Sequence, residues 1–170
     1  MEATLIAPLP DAAALHRLLT QAVVESLENM AFIAPEPFAE TRVPSDQRLI
    51  RVCISFCGPL VGIMEIICPR AVGENLACTI FCMEPADDEI VLRGQDALHE
   101  LCNITCGTFL RNIARQLRCH FDMHLPILRP FDPNETPDDL NVTPDCLAIT
   151  AEGHPMLVRL QYRSHSETAP

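Results

Sequence analysis

Between Leu49 and Cys57 the side chains alternate, with Ile50, Val52, Ile54 and Phe56 on one side of an extended chain and Arg51, Cys53, Ser55 and Cys57 on the other. Successive residues of a strand point to opposite faces, so this period specifies a strand with one apolar face, in a register that cannot slip by a single residue. Gly58-Pro59 then interrupts the chain, and Leu60 to Cys68 is a second β-type run carrying Val61, Ile63, Ile66 and Ile67. The two runs predict a hairpin.

The rest of the chain reads as helices and short strands around that hairpin. Pro10 and Asp11 precede an apolar stripe at Leu15, Leu18, Leu19, Ala22, Val23, Ser26, Leu27 and Met30, which predicts a long first helix with Asp11 as its N-cap. It should stop near Phe32 to Ala34, because Pro35 and Pro37 cannot donate to its hydrogen-bond ladder. Phe38 to Val43 reads as a short edge strand. A second helix follows, with Pro69 in its first turn and a stripe of Val72, Leu76, Ala77, Ile80 and Phe81. Acidic residues Glu84, Asp87, Asp88 and Glu89 link it to a third, longer helix over Gln95 to Arg118.

Leu125 to Phe131 suits an edge strand, the one place in a sheet that tolerates Pro126 and Pro130. Asp132 to Asn141, rich in Pro and Asp, reads as a surface loop, and Val142 to Ala151 with Met156 to Tyr162 as a closing hairpin. Ser164 to Pro170 reads as a frayed tail. With no internal repeat, 170 residues suit one domain over 1–170, its ordered core running from about 11 to 163. The expected class is α/β of the α+β kind, a mainly antiparallel sheet packed with long helices.

A composition of 48% hydrophobic and 21% charged residues is that of a folded chain. The formal charge of −11 argues against nucleic acid, whose phosphates need clustered Lys and Arg, and against an anionic membrane surface. No apolar run is long enough for a spanning helix. The opening Met1-Glu2-Ala3-Thr4 lacks the basic and apolar regions of a secretory signal, so a cytoplasmic location is expected. In that compartment the nine cysteines read as reduced thiols, most of them in the core.

The third helix carries the chemistry. At about 100° per residue, Leu98, Cys102, Thr105, Phe109 and Ile113 form its buried stripe, while Glu100, Asn103 and Gly107 share the opposite side within an arc of about 60°. Glu100 and Asn103 lie one turn apart, so both can reach a single partner docked across the helix. Gly107 sits a turn further on, and a mid-helix glycine costs about 1 kcal/mol relative to alanine, which invites close approach of another backbone as its reason. On an outer helical face Glu and Asn are ordinarily just solvated, so spacing alone does not establish a site.

Other constellations are weaker. Cys78 with Cys82 and Cys102 with Cys106 have a spacing that permits metal chelation but not that of structural zinc, and buried thiols explain them better. No metal site is assigned, and His99, His120 and His124 receive no role. There is no Gly-rich phosphate loop, nucleophile elbow or Ser-His-Asp order. Arg111, Arg115 and Arg118 favour the C-terminal end of the third helix, where positive charge suits the dipole.

The stretch Glu100-Leu101-Cys102-Asn103-Ile104-Thr105-Cys106-Gly107 resembles the Glu-x-x-Asn signature, followed by glycine, of the CheC, CheX and FliY family of chemotaxis phosphatases. The likeness extends to a first helix ending Glu25-Ser26-Leu27-Glu28-Asn29-Met30-Ala31-Phe32 and to the hairpin around Gly62-Ile63-Met64-Glu65-Ile66, covering roughly Leu15 to Tyr162. One motif copy is present, as in the CheX-like branch; Glu25 and Asn29 have the wrong spacing for a second.

The resemblance implies a CheC-like fold and hydrolysis of the aspartyl phosphate of a phosphorylated CheY-like receiver domain. Glu100 and Asn103 would be catalytic and Gly107 would lie in the docking face. The protein would carry no cofactor of its own, with Mg²⁺ on the receiver, and would form a homodimer. The rival expectation is a non-catalytic adaptor or flagellar-switch-like scaffold of the same fold.

Overall fold

The computed structural model describes residues 8–44, 48–132, 134 and 137–164; the tail expected from Ser164 onward lies, after its first residue, outside them. α1 (Ala12–Ala31) begins where Asp11 accepts the Ala14 N–H at 2.7 Å, satisfying one of the donors a helix start leaves free. It ends at Phe32, whose φ of 58° turns the chain out of the helix. β1 is only Glu36–Pro37, and beyond it a single bridge joins Arg42 to Asn141. The edge strand expected over Phe38 to Val43 is therefore absent as such. Phe38 and Val43 instead turn inward to a small apolar cluster.

β2 (Leu49–Cys57) and β3 (Leu60–Pro69) form the expected hairpin, paired from Leu49 opposite Pro69 to Phe56 opposite Gly62. Pro69 closes the strand rather than opening a helix, and α2 (Arg70–Ile80) starts at the next residue. α3 (Ile90–Leu117) begins five residues earlier than the polarity pattern suggested. Its first turn is anchored because Ile90 is buried and Glu89 accepts the Arg93 N–H. After α3 the chain forms β4 (Asp122–Met123) and β5 (Ile127–Phe131), both antiparallel to β2. Pro126, which has no N–H to give, falls in the gap between them and accounts for the split of the single strand expected there. β6 (Cys146–Ala151) and β7 (His154–Ser164) close the sheet.

The strand order is β1-β6-β7-β3-β2-β4, with β5 beside β4 on the outer side of β2, and every pairing is antiparallel. The helices cover one face. Leu15, Leu19, Val23 and Leu27 of α1, Leu98, Leu101, Cys102, Phe109 and Ile113 of α3, and Ile50, Val52, Ile54 and Phe56 of β2 share one buried core. Burial of such side chains is worth roughly 1.5–3 kcal/mol each, so the alternation in β2 commits that face to the helices. The fold is thus of mixed α+β class, with the three α-helices of the described residues packed on an antiparallel sheet.

α2 and α3 cross with almost no room between them. A Cβ on Gly73 would stand 2.6 Å from the Gly94 carbonyl oxygen, and one on Gly94 would stand 2.9 Å from the Gly73 backbone. A side chain at either position would meet the backbone of the other helix, so these two glycines permit the close α2–α3 crossing.

On the opposite face, part of the sheet is covered by the chain before β2 and by the segment preceding β6. Val43, Leu49, Ile67, Phe131, Leu140, Cys146 and Leu157 form a second cluster. The stretch read as a surface loop is therefore more than that, since it contains a 3-10 turn (Pro137–Leu140) that buries Leu140 completely. The Asp139 carboxylate bridges Arg51 and Arg159, and Arg159 also donates to the backbone oxygens of Asp139 and Asn141. The Arg51 guanidinium lies 4.7 Å from the centre of the Phe131 ring, so the clamp is stacked as well as paired.

Candidate functional site

α3 runs past β2 and the β4/β5 edge, and its inner and outer sides separate as its sequence spacing requires. Leu98, Cys102, Thr105, Phe109 and Ile113 are all buried, and Leu101, Cys106 and Leu110 widen the stripe on both flanks. Phe109 is held edge-on to Phe56 at 6.5 Å between ring centres. On the outer side Glu100 is exposed, and Asn103 and Gly107 are half-buried. Neither Glu100 nor Asn103 has a hydrogen-bond or ion-pair partner among the described residues. A carboxylate and a carboxamide thus project from mid-helix with their hydrogen-bonding capacity uncommitted, on a rod fixed from below.

Gly107 is not demanded by the chain's own packing. A Cβ there would touch only the Met123 side chain, at an ordinary 3.6 Å, and no backbone comes near. The close approach expected for this glycine is not made within the molecule. Met123, which sequence reading passed over, is brought beside Gly107 by the pairing of β4 with the end of β2. A shallow groove of about 210 Å³ opens there, walled by Gly107, Leu110, Ala114, Phe121 and Met123, with Arg111 at its rim. Its only forewarning in the sequence was Met123 alternating with Phe121 after the helix. His120 also lines the groove and pairs with Asp122 at the surface, while His124 is tied to β2 through Ser55, 3.1 Å from its hydroxyl.

The cysteines are less uniformly internal than expected. Cys68, Cys102, Cys106 and Cys146 are buried, four others are half-buried, Cys82 is exposed, and all nine are free thiols. Burial pushes Cys68 and Cys106 up to about 12 and raises Cys102 as well. Cys53 is pushed to about 11, chiefly by burial and then by the Glu65 carboxylate, to which its thiol donates at 3.5 Å. Thiolate is the reactive form, so at pH 8 a thiol of pKa 12 is about one part in ten thousand ionised. A short iodoacetamide pulse followed by peptide mass spectrometry should therefore mark Cys82 first and leave Cys68, Cys102 and Cys106 unmodified until the protein is denatured. Rapid native labelling of Cys102 or Cys106 would mean that α3 lifts from the sheet. No group of three or more His, Cys, Asp or Glu side chains among the described residues is arranged to hold a metal ion, and none of their helices is long and apolar enough to cross a membrane.

An antiparallel sheet with three helices on one face, the longest beside the β2 edge, defines the CheC-like fold class. Residues 50–130 match the family described as chemotaxis phosphatase CheX. Among solved structures, the chemotaxis protein CheX from Vibrio vulnificus superposes with a TM-score of 0.66 at 15% identity, over 91% of this chain and 99% of that one. CheX from Borrelia burgdorferi, solved as a CheX-CheY-BeF3-Mg²⁺ complex, gives 0.64 at 17% identity, over 88% and 98%. FliY from Thermotoga maritima gives 0.56 at 12% identity, over 89% and 87%. No curated protein sequence matches. The chain is thus similar to the CheX family over residues 50–130 and shares its fold with solved CheX, CheC-like and FliY structures. The family match spans β2 to β5 and so includes all of α3 with Glu100, Asn103 and Gly107.

Proposed function

We propose that this protein is a cytoplasmic, homodimeric phosphatase that hydrolyses the aspartyl phosphate of a CheY-like response regulator. The observation that carries the reading is the outward, internally unpartnered pair Glu100 and Asn103, one turn apart on a helix fixed to the sheet. The Borrelia neighbour's complex with CheY supports a receiver domain as the partner class.

An acyl phosphate already reacts slowly with water, and catalysis of phosphoryl transfer is mostly positioning and electrostatics. The receiver contributes Mg²⁺ and a lysine. Asn103 enters beside the phosphoryl group, and its amide, both donor and acceptor, holds a water in line for attack. It orients that water without abstracting its proton. Glu100 pairs with the receiver lysine and sets the register of the docked helix. Gly107, with no side chain and no internal neighbour closer than Met123, lets the receiver backbone come against α3.

The test is a screen of receiver domains from the same genome, each phosphorylated with acetyl phosphate and followed by loss of label, alongside binding with and without beryllofluoride. At least one receiver should lose its phosphate faster by tenfold or more and bind more tightly in the beryllofluoride form. Binding that ignores the phosphoryl mimic and brings no acceleration would establish the scaffold reading instead. Light scattering at micromolar concentration checks the dimer.

A further inference from the structure

The outer line of α3 does not stop at the motif. Eleven residues separate Glu100 from Arg111, a spacing that returns to within about 20° of the same bearing and advances about 16 Å along the axis. Between them lies Gly107, which is also one wall of the groove closed by Leu110, Ala114, Phe121 and Met123. Next to it, apolar side chains are left in solvent at Met123, 39% exposed, and Leu125, 86% exposed, whereas Ile127, opposite Cys53, lies on the other face of the sheet. Isolated exposed hydrophobic residues are commonplace, but Met123 and Leu125 lie two positions apart, and Met123 walls a groove that reaches Gly107 on the motif face.

Around the groove the charges of α3 differ in sign, and the one arginine of the helix before it, Arg93, is paired with Glu89 and Asp96. Asp96 and Glu100 lie before the groove, and Arg111, Arg115 and Arg118 lie at or beyond it, in a chain whose formal charge is −11. Arg111, which lines the groove, makes only long contacts within the chain, 3.9 Å to Glu25 of α1 and 3.5 Å to the Thr108 hydroxyl. An exposed pair at that separation leaves most of its charge available to another partner.

Resting on the reading of Glu100 and Asn103 as the receiver-facing pair, we infer that the same receiver domain also covers the groove. An apolar patch of the receiver lies against Met123 and Leu125, and a receiver carboxylate pairs with Arg111 about 16 Å from the lysine that pairs with Glu100. Glu100 and Arg111, of opposite charge on one helix face, then admit the receiver in a single orientation. Glu100 alone does not determine that orientation, because a single ion pair allows rotation about itself. Arg111 and Met123 are positioning residues, since neither reaches the phosphoryl group. Methionine suits the role, being able to repack against an incoming surface.

The experiment takes the receiver dephosphorylated fastest in the screen above and measures KM and kcat for Arg111→Glu, Arg111→Ala and Met123→Asp, with thermal melts to confirm folding. Arg111→Glu and Met123→Asp should each raise KM about tenfold with kcat within twofold, and Arg111→Ala should raise it less. The Arg111 effects should shrink as salt rises. Replacing by arginine, one at a time, the surface carboxylates of the receiver that lie about 16 Å from its active-site lysine should reveal one position that restores KM with Arg111→Glu. KM within twofold of wild type for all three folded variants, or a loss confined to kcat, overturns the inference. Asn103→Ala measured in parallel separates the two levels: if it abolishes turnover while these variants bind normally, the catalytic reading stands and the extended surface falls. If Asn103→Ala still accelerates decay, or no receiver responds in the screen, both fall.

Discussion

Replacing Asn103 by alanine is expected to slow receiver dephosphorylation by about 10²-fold or more, the scale set by losing the alignment of an attacking group, while leaving the fold and receiver binding nearly unchanged. The side chain is half-buried on the outer face of α3 and bonds to nothing in the described chain, so its removal should shift stability by no more than about 0.5 kcal/mol. Glu100→Ala should behave differently, weakening docking as well as turnover, because its proposed role is an ion pair with the receiver lysine. That pair has a direct chemical readout. All twelve basic side chains of this protein are arginine, so a carbodiimide cross-link that joins its carboxylates to a lysine must reach the receiver. Digestion and mass spectrometry should find Glu100 joined to one receiver lysine, and Glu100→Gln should lose that product. Full dephosphorylation by Asn103→Ala removes this residue from the mechanism, and a cross-link map that avoids Glu100 removes the register it is assigned.

What made the motif helix legible was its position against a strongly patterned strand. The β2 alternation commits one sheet face to burial, the Leu98 to Ile113 stripe supplies the matching surface, and Glu100 with Asn103 then has to point away. Elements whose burial depends on distant partners were harder to read. Leu140 sits in a stretch of Pro, Asp and Asn, and only Val43, Leu157 and the Arg51–Asp139–Arg159 clamp, drawn from three remote segments, bring it inside. Phe38 and Val43 join the same cluster, and between them the chain makes a single bridge, Arg42 to Asn141, in place of the strand expected there. Gly73 and Gly94 show no local period, and their purpose appears only when α2 and α3 cross. Met123 has the same history. Its place beside Gly107 follows from pairing with β2, a long-range fact that no window of sequence around Met123 contains.

Phe109→Ala should be the most damaging single change to the fold. The ring is fully buried in α3, directly between the helix and β2, and packs edge-on to Phe56, which in turn packs edge-on to Phe121. Truncating a buried phenylalanine costs about 3–5 kcal/mol, from lost burial and from the cavity that surrounding side chains cannot fill. For a chain of this size that corresponds to a melting temperature lower by on the order of 10 °C. Phe109→Leu, which keeps most of the volume, should cost about 1–1.5 kcal/mol, so the pair of variants separates cavity from chemistry. Phe109 lies on the side of α3 opposite Gly107, so the folded fraction of either variant should still present Glu100 and Asn103 outward and still bind a receiver below its transition. Melts by circular dichroism, with turnover measured well below the midpoint, check both halves. A midpoint for Phe109→Ala within about 2 °C of wild type would mean less than roughly 1 kcal/mol lost, and α3 would then not be anchored to the sheet at this ring.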